Sequence, residues 1–293
     1  MQSLDQDKSR FLFPIKNEKI IEKNFEFKTE NKTNKPGTSS TFPDLEELID
    51  TAEILMHGND YVLAKNLIGR SLQFYPKNSE LLLLLGKISK SLKDWPMVVQ
   101  CYRTLVEIDF TENNVIALCD ALQELGEYSE AKLKYEELLI KKSISEENLF
   151  DIYKQIGNLS VRDGDLEAAE EYYNKAFSID SKSDTLLVNF GTLEMQRGDY
   201  EKALIRFREA IEINKSNAKA WIGLGMIHRK YGDHELSIAN IVCALDLEPE
   251  NKTALKLYSD WSVHSSCIQS ACERLEAYLE KNDQDVEFIL IYA

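Results

Sequence analysis

Large and small apolar residues return along this chain in a fixed order. Phe190-Gly191 is followed by Ala203, Phe207 and Ala210; the same order stands 34 residues earlier as Ile156-Gly157, Ala169, Tyr173 and Ala176. It comes back 34 residues later as Leu224-Gly225, Ser237 and Ala244, with Trp221 before it and Pro249 after it. Between the two halves of each copy lies a polar break, Gly198-Asp199-Tyr200, matched by Gly164-Asp165-Leu166 and Gly232-Asp233-His234. An interval of this length marks one helical hairpin stacked many times. Small residues let the two helices approach, and the large apolar and aromatic residues fill the seam above and below them. Glycine suits the left-handed residue that ends a first helix, and the aspartate after it lies where the next helix's dipole favours negative charge.

The same frame extends in both directions. It predicts seven hairpins over 45–285, at 45–78, 79–111, 112–149, 150–183, 184–217, 218–251 and 252–285. The second is one residue short, and about four extra residues lengthen the loop before the fourth. The seventh keeps Leu255, Tyr258, Ala271 and Leu275 but has Cys267-Ile268 near the place of the Gly-Asp turn. Residues 286–293, Val-Glu-Phe-Ile-Leu-Ile-Tyr-Ala, read as the opening of a further or capping helix. So apolar an ending calls for cover. It packs on the seventh hairpin, forms an oligomerisation edge, or continues into more chain. Residues 1–44 lie outside the period and are expected to be a disordered arm, poor in apolar residues apart from Phe11-Leu12-Phe13-Pro14-Ile15 and Phe25-Glu26-Phe27.

These residues carry a resemblance. Trp, Leu-Gly, Gly-Asp-Tyr, Ala, aromatic, Ala and Pro at this spacing resemble the tetratricopeptide repeat family, most fully over 150–251 and more loosely over 45–285. The resemblance implies an all-α, right-handed superhelical solenoid of antiparallel helix pairs. It further implies that the first helices line a concave groove that binds peptides or other proteins. Some members grip the C-terminal carboxylate of chaperones with a clamp spread over three repeats. By that analogy Lys154 and Asn158 hold the first-repeat places, Asn189 the second and Lys219 half of the third, while the arginine place holds Gly223. That is a departure, because a guanidinium is the planar donor best matched to a carboxylate. Arg229 and Lys230, further along the same helix, are candidate substitutes.

Composition narrows the function. The 293 residues carry a net charge of −15 with only 12 Gly and 6 Pro, which suits a helix-rich repeat protein. At the groove-facing positions the acids Glu46, Glu53, Glu80, Asp120 and Glu124 outnumber Lys87 and Lys90 in the first three hairpins. In the later hairpins Lys154, Arg162, Lys219, Arg229, Lys230 and Lys256 outnumber Asp151 and Asp260. A basic lane in an acidic body suggests an anionic ligand segment, acidic or ending in a carboxylate. The expected binding residues are Lys154, Asn158, Arg162, Asn189, Lys219, Arg229 and Lys230. The acidic total disfavours nucleic acid.

No catalytic motif is present: the four histidines are scattered, and there is no phosphate loop or nucleophile elbow. Cys101, Cys119 and Cys243 read as packed thiols, and the spacing of His264, Cys267 and Cys272 does not match a zinc pair, so neither metal nor cofactor is expected. No stretch is apolar enough to span a bilayer, and the first ten residues do not resemble a secretory leader, which predicts a cytoplasmic protein. The sequence therefore predicts a non-enzymatic scaffold or adaptor. Its alternatives are a regulatory or targeting subunit of a larger enzyme or secretion assembly, or a co-chaperone-like clamp protein.

Overall fold

The computed structural model describes residues 44–141, 144–263 and 267–292. The arm expected at 1–44, but for Asp44, lies outside the described residues, as does His264. The described chain is built from helices alone: α1 Leu45–His57, α2 Tyr61–Ser71, α3 Ser79–Ser91, α4 Trp95–Ile108, α5 Glu112–Leu125, α6 Tyr128–Ile140, α7 Glu146–Asp163 and α8 Leu166–Ile179. The series continues with α9 Asp184–Arg197, α10 Tyr200–Ile213, α11 Ala218–Lys230, α12 His234–Leu247, α13 Lys252–Ser262, α14 Ile268–Leu279 and α15 Val286–Tyr292. Each helix packs on its neighbours in sequence, so odd-numbered first helices alternate with even-numbered second helices.

Local chemistry sets the boundaries. Four first helices begin on Asn or Ser caps: the side chains of Asn78, Ser183, Asn217 and Asn251 accept the amide three residues on at 2.9, 3.3, 3.1 and 3.0 Å. In the fourth to sixth hairpins the second helix begins on aspartate: Asp165, Asp199 and Asp233 accept amides at 3.0, 3.2 and 3.1 Å. In the first six hairpins a residue between the paired helices is left-handed. Gly126, Gly164, Gly198 and Gly232 have φ of +78° to +83°, and Asn59 and Lys93 take that conformation in the first two hairpins at 62° and 56°.

The small-large pairing is seen directly. A Cβ on Gly157 would stand 2.3 Å from the Tyr173 ring, one on Gly191 2.8 Å from Phe207, and one on Gly225 3.0 Å from Ile241. Ala52, Ala64, Ala131, Ala169, Ala203 and Ala210 are fully buried. Because every hairpin rests on the next, buried side chains form successive clusters along the stack and no single central core. Burial pushes the Cys101 thiol up to about 12 and the Cys119 thiol further still, so both are packed apolar groups and poor nucleophiles.

The chain ends its described course on α15. Phe288 is buried against Tyr278, ring centres 4.9 Å apart, while Val286, Ile289 and Leu290 stay exposed.

Candidate functional site

The first helices also meet one another across hairpins, α7 with α9, α9 with α11 and α13 with α15. They therefore line the inner side of the stack, and side chains leaving them there share one trough. Polar side chains in its middle are tied together. The Oδ1 of Asn158 on α7 accepts both the Asn189 amide from α9 and the Tyr173 hydroxyl from α8, each at 2.8 Å. Tyr173 is itself fixed, since its ring lies flush against Gly157. A core aromatic thus holds two groove amides in place.

The remaining expected residues divide. Lys154 stands one turn before Asn158, paired with Asp151 at 2.5 Å and above the Phe150 ring. Lys219 opens α11, is exposed, and has no ion pair among the described residues. It lines the same depression as Asn189. Arg162 and Lys230 instead reach back to the tyrosines that open the preceding second helices, 4.3 Å from the Tyr128 ring centre and 5.5 Å from that of Tyr200. Arg229 leans forward, 5.4 Å from the Trp261 ring centre, and meets His234 Nδ1 at 2.6 Å. None of these three lines the depression that holds Asn189 and Lys219.

The departure at Gly223 has a steric cause. A Cβ there would lie 2.4 to 2.6 Å from three atoms of the Phe207 ring. That ring rises from α10 between α9 and α11 and is 1% exposed. No side chain fits between it and the trough, so the place an arginine takes in a carboxylate clamp is here an opening onto an aromatic face. Arg229 and Lys230 do not fill it, each being engaged with a ring on another helix.

Charge is distributed less simply than the lane along α7, α9, α11 and α13 suggests. Asp151 answers Lys154, and Glu287 on α15 answers Lys256 at 2.7 Å. Of the six cations expected along this lane, Arg162, Lys219, Arg229 and Lys230 have no carboxylate partner among the described residues. In the earlier hairpins Asp120 is hydrogen-bonded to Tyr135, the aromatic equivalent to Tyr173. Its pKa is raised, chiefly because the surrounding trough displaces water from the carboxylate, although Lys90 and the Tyr135 hydroxyl pull the other way.

Sequence reasoning centred on charge passed over an apolar feature beside Lys219. Val188 and Met195 of α9, Ile222 and Met226 of α11, and the Phe207 ring line the depression with Asn189. Ile222 and Met226 occupy two of the groove-facing positions of their helix, so their residue types were a readable signal. Among the described residues no group of His, Cys, Asp and Glu is arranged to hold a metal ion, and no helix is long and apolar enough to cross a membrane.

Comparison with known proteins agrees with this architecture. Two family models match, one described as tetratricopeptide repeat over 150–183 and one as TPR repeat over 191–232; neither is an enzyme family. Solved structures share the fold at low identity. A tetratricopeptide repeat protein from Parabacteroides merdae ATCC 43184 is 18% identical, with 84% of this chain and 96% of that one aligned at a TM-score of 0.63. PilW, a widely conserved type IV pilus biogenesis factor, is 16% identical over 72% of this chain and 97% of its own, at a TM-score of 0.57. A chain of the APC/C hetero-tetramer Cut9-Hcn1 is 16% identical over 85% of this chain, at a TM-score of 0.56; this chain spans 49% of that relative's length. The search of curated proteins found no match. Residues 150–183 and 191–232 are thus tetratricopeptide repeats, and the described chain is an all-α superhelix whose helices fit about seven repeats of that kind. Repeats of this kind are generally protein-protein interaction modules, without catalysis of their own.

Proposed function

We propose that this protein is a non-enzymatic cytoplasmic scaffold or adaptor that holds an acidic segment of a partner, in extended form, along the inner faces of α7, α9 and α11. Asn158 and Asn189 present amides to the bound backbone, and Lys219 and Lys154 meet its carboxylates. Arg162, Arg229 and Lys230 flank the path. The observation that carries this reading is Lys219: an unpaired cation beside a depression lined by no carboxylate, in a chain whose net charge is −15. In such a background, acid-free groove surface is selective for a negative ligand. A clamp on a C-terminal carboxylate is a weaker reading, because Gly223 supplies no guanidinium and Lys154 already has Asp151.

The test is quantitative affinity purification from the protein's own cells, with wild-type and Lys154→Glu/Lys219→Glu baits. Partner recovery is expected to fall at least about tenfold, equivalent to about 1.4 kcal/mol, with helical circular dichroism unchanged. Equal recovery by the two baits contradicts the reading.

A second reading has its own observation. The exposed Val286, Ile289 and Leu290 on α15 offer an apolar edge through which a regulatory or targeting subunit could join a larger assembly or a second copy. A bait ending at Asp285 that loses its partners, while one with the double lysine reversal keeps them, favours this second reading.

A further inference from the structure

The depression between α9, α11 and the start of α13 is larger and more apolar than capture of carboxylates alone requires. Its volume is about 530 Å³, within the range of about 300–1,000 Å³ typical of ligand clefts. The floor is the Phe207 ring, reached only because residue 223 has no side chain. Val188, Met195, Ile222 and Met226 form the walls, and Met226 stands 40% exposed on the inner face. Asn189, Thr192, Gln196, Lys219, Asn251 and Thr253 supply the polar part of the lining, and no Asp or Glu lines any of it.

We propose that this well takes an aliphatic side chain, leucine or methionine, as the anchor of an acidic peptide, with Lys219 pairing a carboxylate one or two residues away along the same peptide. The inference rests on the groove reading above and adds to it the residue class that fixes the peptide's register. Successive residues of an extended chain are about 3.3 Å apart and alternate in direction, so a carboxylate next to the anchor lies within reach of a lysine at the rim. Burial of the anchor supplies affinity that exposed ion pairs alone do not. The single cation disfavours a basic neighbour, and a polar anchor seated on the ring floor gives up water for an apolar contact. Specificity therefore comes from the well and steering from the charge.

Fluorescein-labelled acidic nonapeptides that differ only at the central residue, Leu, Met, Ser or Lys, test this by fluorescence anisotropy on the full chain. The Leu and Met peptides are expected to bind at least about tenfold tighter than the Ser and Lys peptides. Met226→Asp and the milder Met226→Ala should each reduce that preference, while Lys219→Glu weakens the whole set. If wild-type protein binds the Leu and Ser peptides equally, the anchor is wrong although the acidic-peptide groove stands. If none of the four binds at millimolar concentration, both readings fall.

Discussion

Phe207→Ala is expected to destabilise the stack by about 3–5 kcal/mol, near the top of the range for buried aromatic truncations. The ring is 1% exposed and is bounded by backbone on two sides, at Gly191 of its own hairpin and Gly223 of the next. Glycine carries no side chain that could swing into the vacated space, so the cavity stays open and the cost is not relieved by local collapse. The loss also falls on an interface. Phe207 packs with Leu187 and Val188 of α9 and with Ala220 and Leu224 of α11, so removing it weakens the coupling between neighbouring repeats. In a stack held by nearest-neighbour terms, that broadens or splits the unfolding transition. Urea denaturation followed by circular dichroism reads both effects. A change below about 1 kcal/mol with an unbroadened transition would show that the ring does not fill the seam.

Gly223→Arg, which puts a guanidinium at the place a carboxylate clamp would have it, is expected to unsettle the fold and yield no clamp. The new Cβ would meet the Phe207 ring at 2.4 Å, and the ring cannot retreat because Gly191 closes its other side, where a Cβ would stand at 2.8 Å. Overpacking of this kind costs about 1–3 kcal/mol or more. The melting temperature should fall, and an acidic peptide with a free C-terminus should bind no better than its amidated form. An undiminished melting temperature together with a new preference for the free carboxylate would mean that the backbone at α11 yields where this account holds it fixed.

Much of the fold is legible in the sequence because its determinants are local. The glycines at 126, 164, 198 and 232 are the residue type that a left-handed turn favours, and each is found in that conformation. Asn59 is a weaker form of the same signal, since asparagine takes that conformation more readily than other side chains, whereas Lys93 does not announce it and takes it between packed hairpins. The candidate site is legible in a different degree. Spacing alone places Asn158, Asn189 and Lys219 on first helices, but it does not give the partners that set their availability. Lys154 is answered from its own helix by Asp151, and Lys256 by Glu287, 31 residues further along the chain. Arg229 and Lys230 are adjacent in sequence, yet a helix turns about 100° per residue, so one meets Trp261 ahead and the other Tyr200 behind. The apolar well needs three helices at once. Ile222 and Met226 mark its wall in sequence, but its floor exists only because Gly223 opens onto a ring from the preceding hairpin.

Carbene footprinting of the protein bound to its captured partner tests the central claim most directly, by showing which face of the stack the partner covers. Protection is expected at Asn189, Thr192, Lys219 and Met226, which line one depression on α9 and α11, with the outer faces of α8, α10 and α12 labelled as in the unbound protein. Protection confined to those outer faces or to α15, with Lys219 and Met226 still fully labelled, would contradict it.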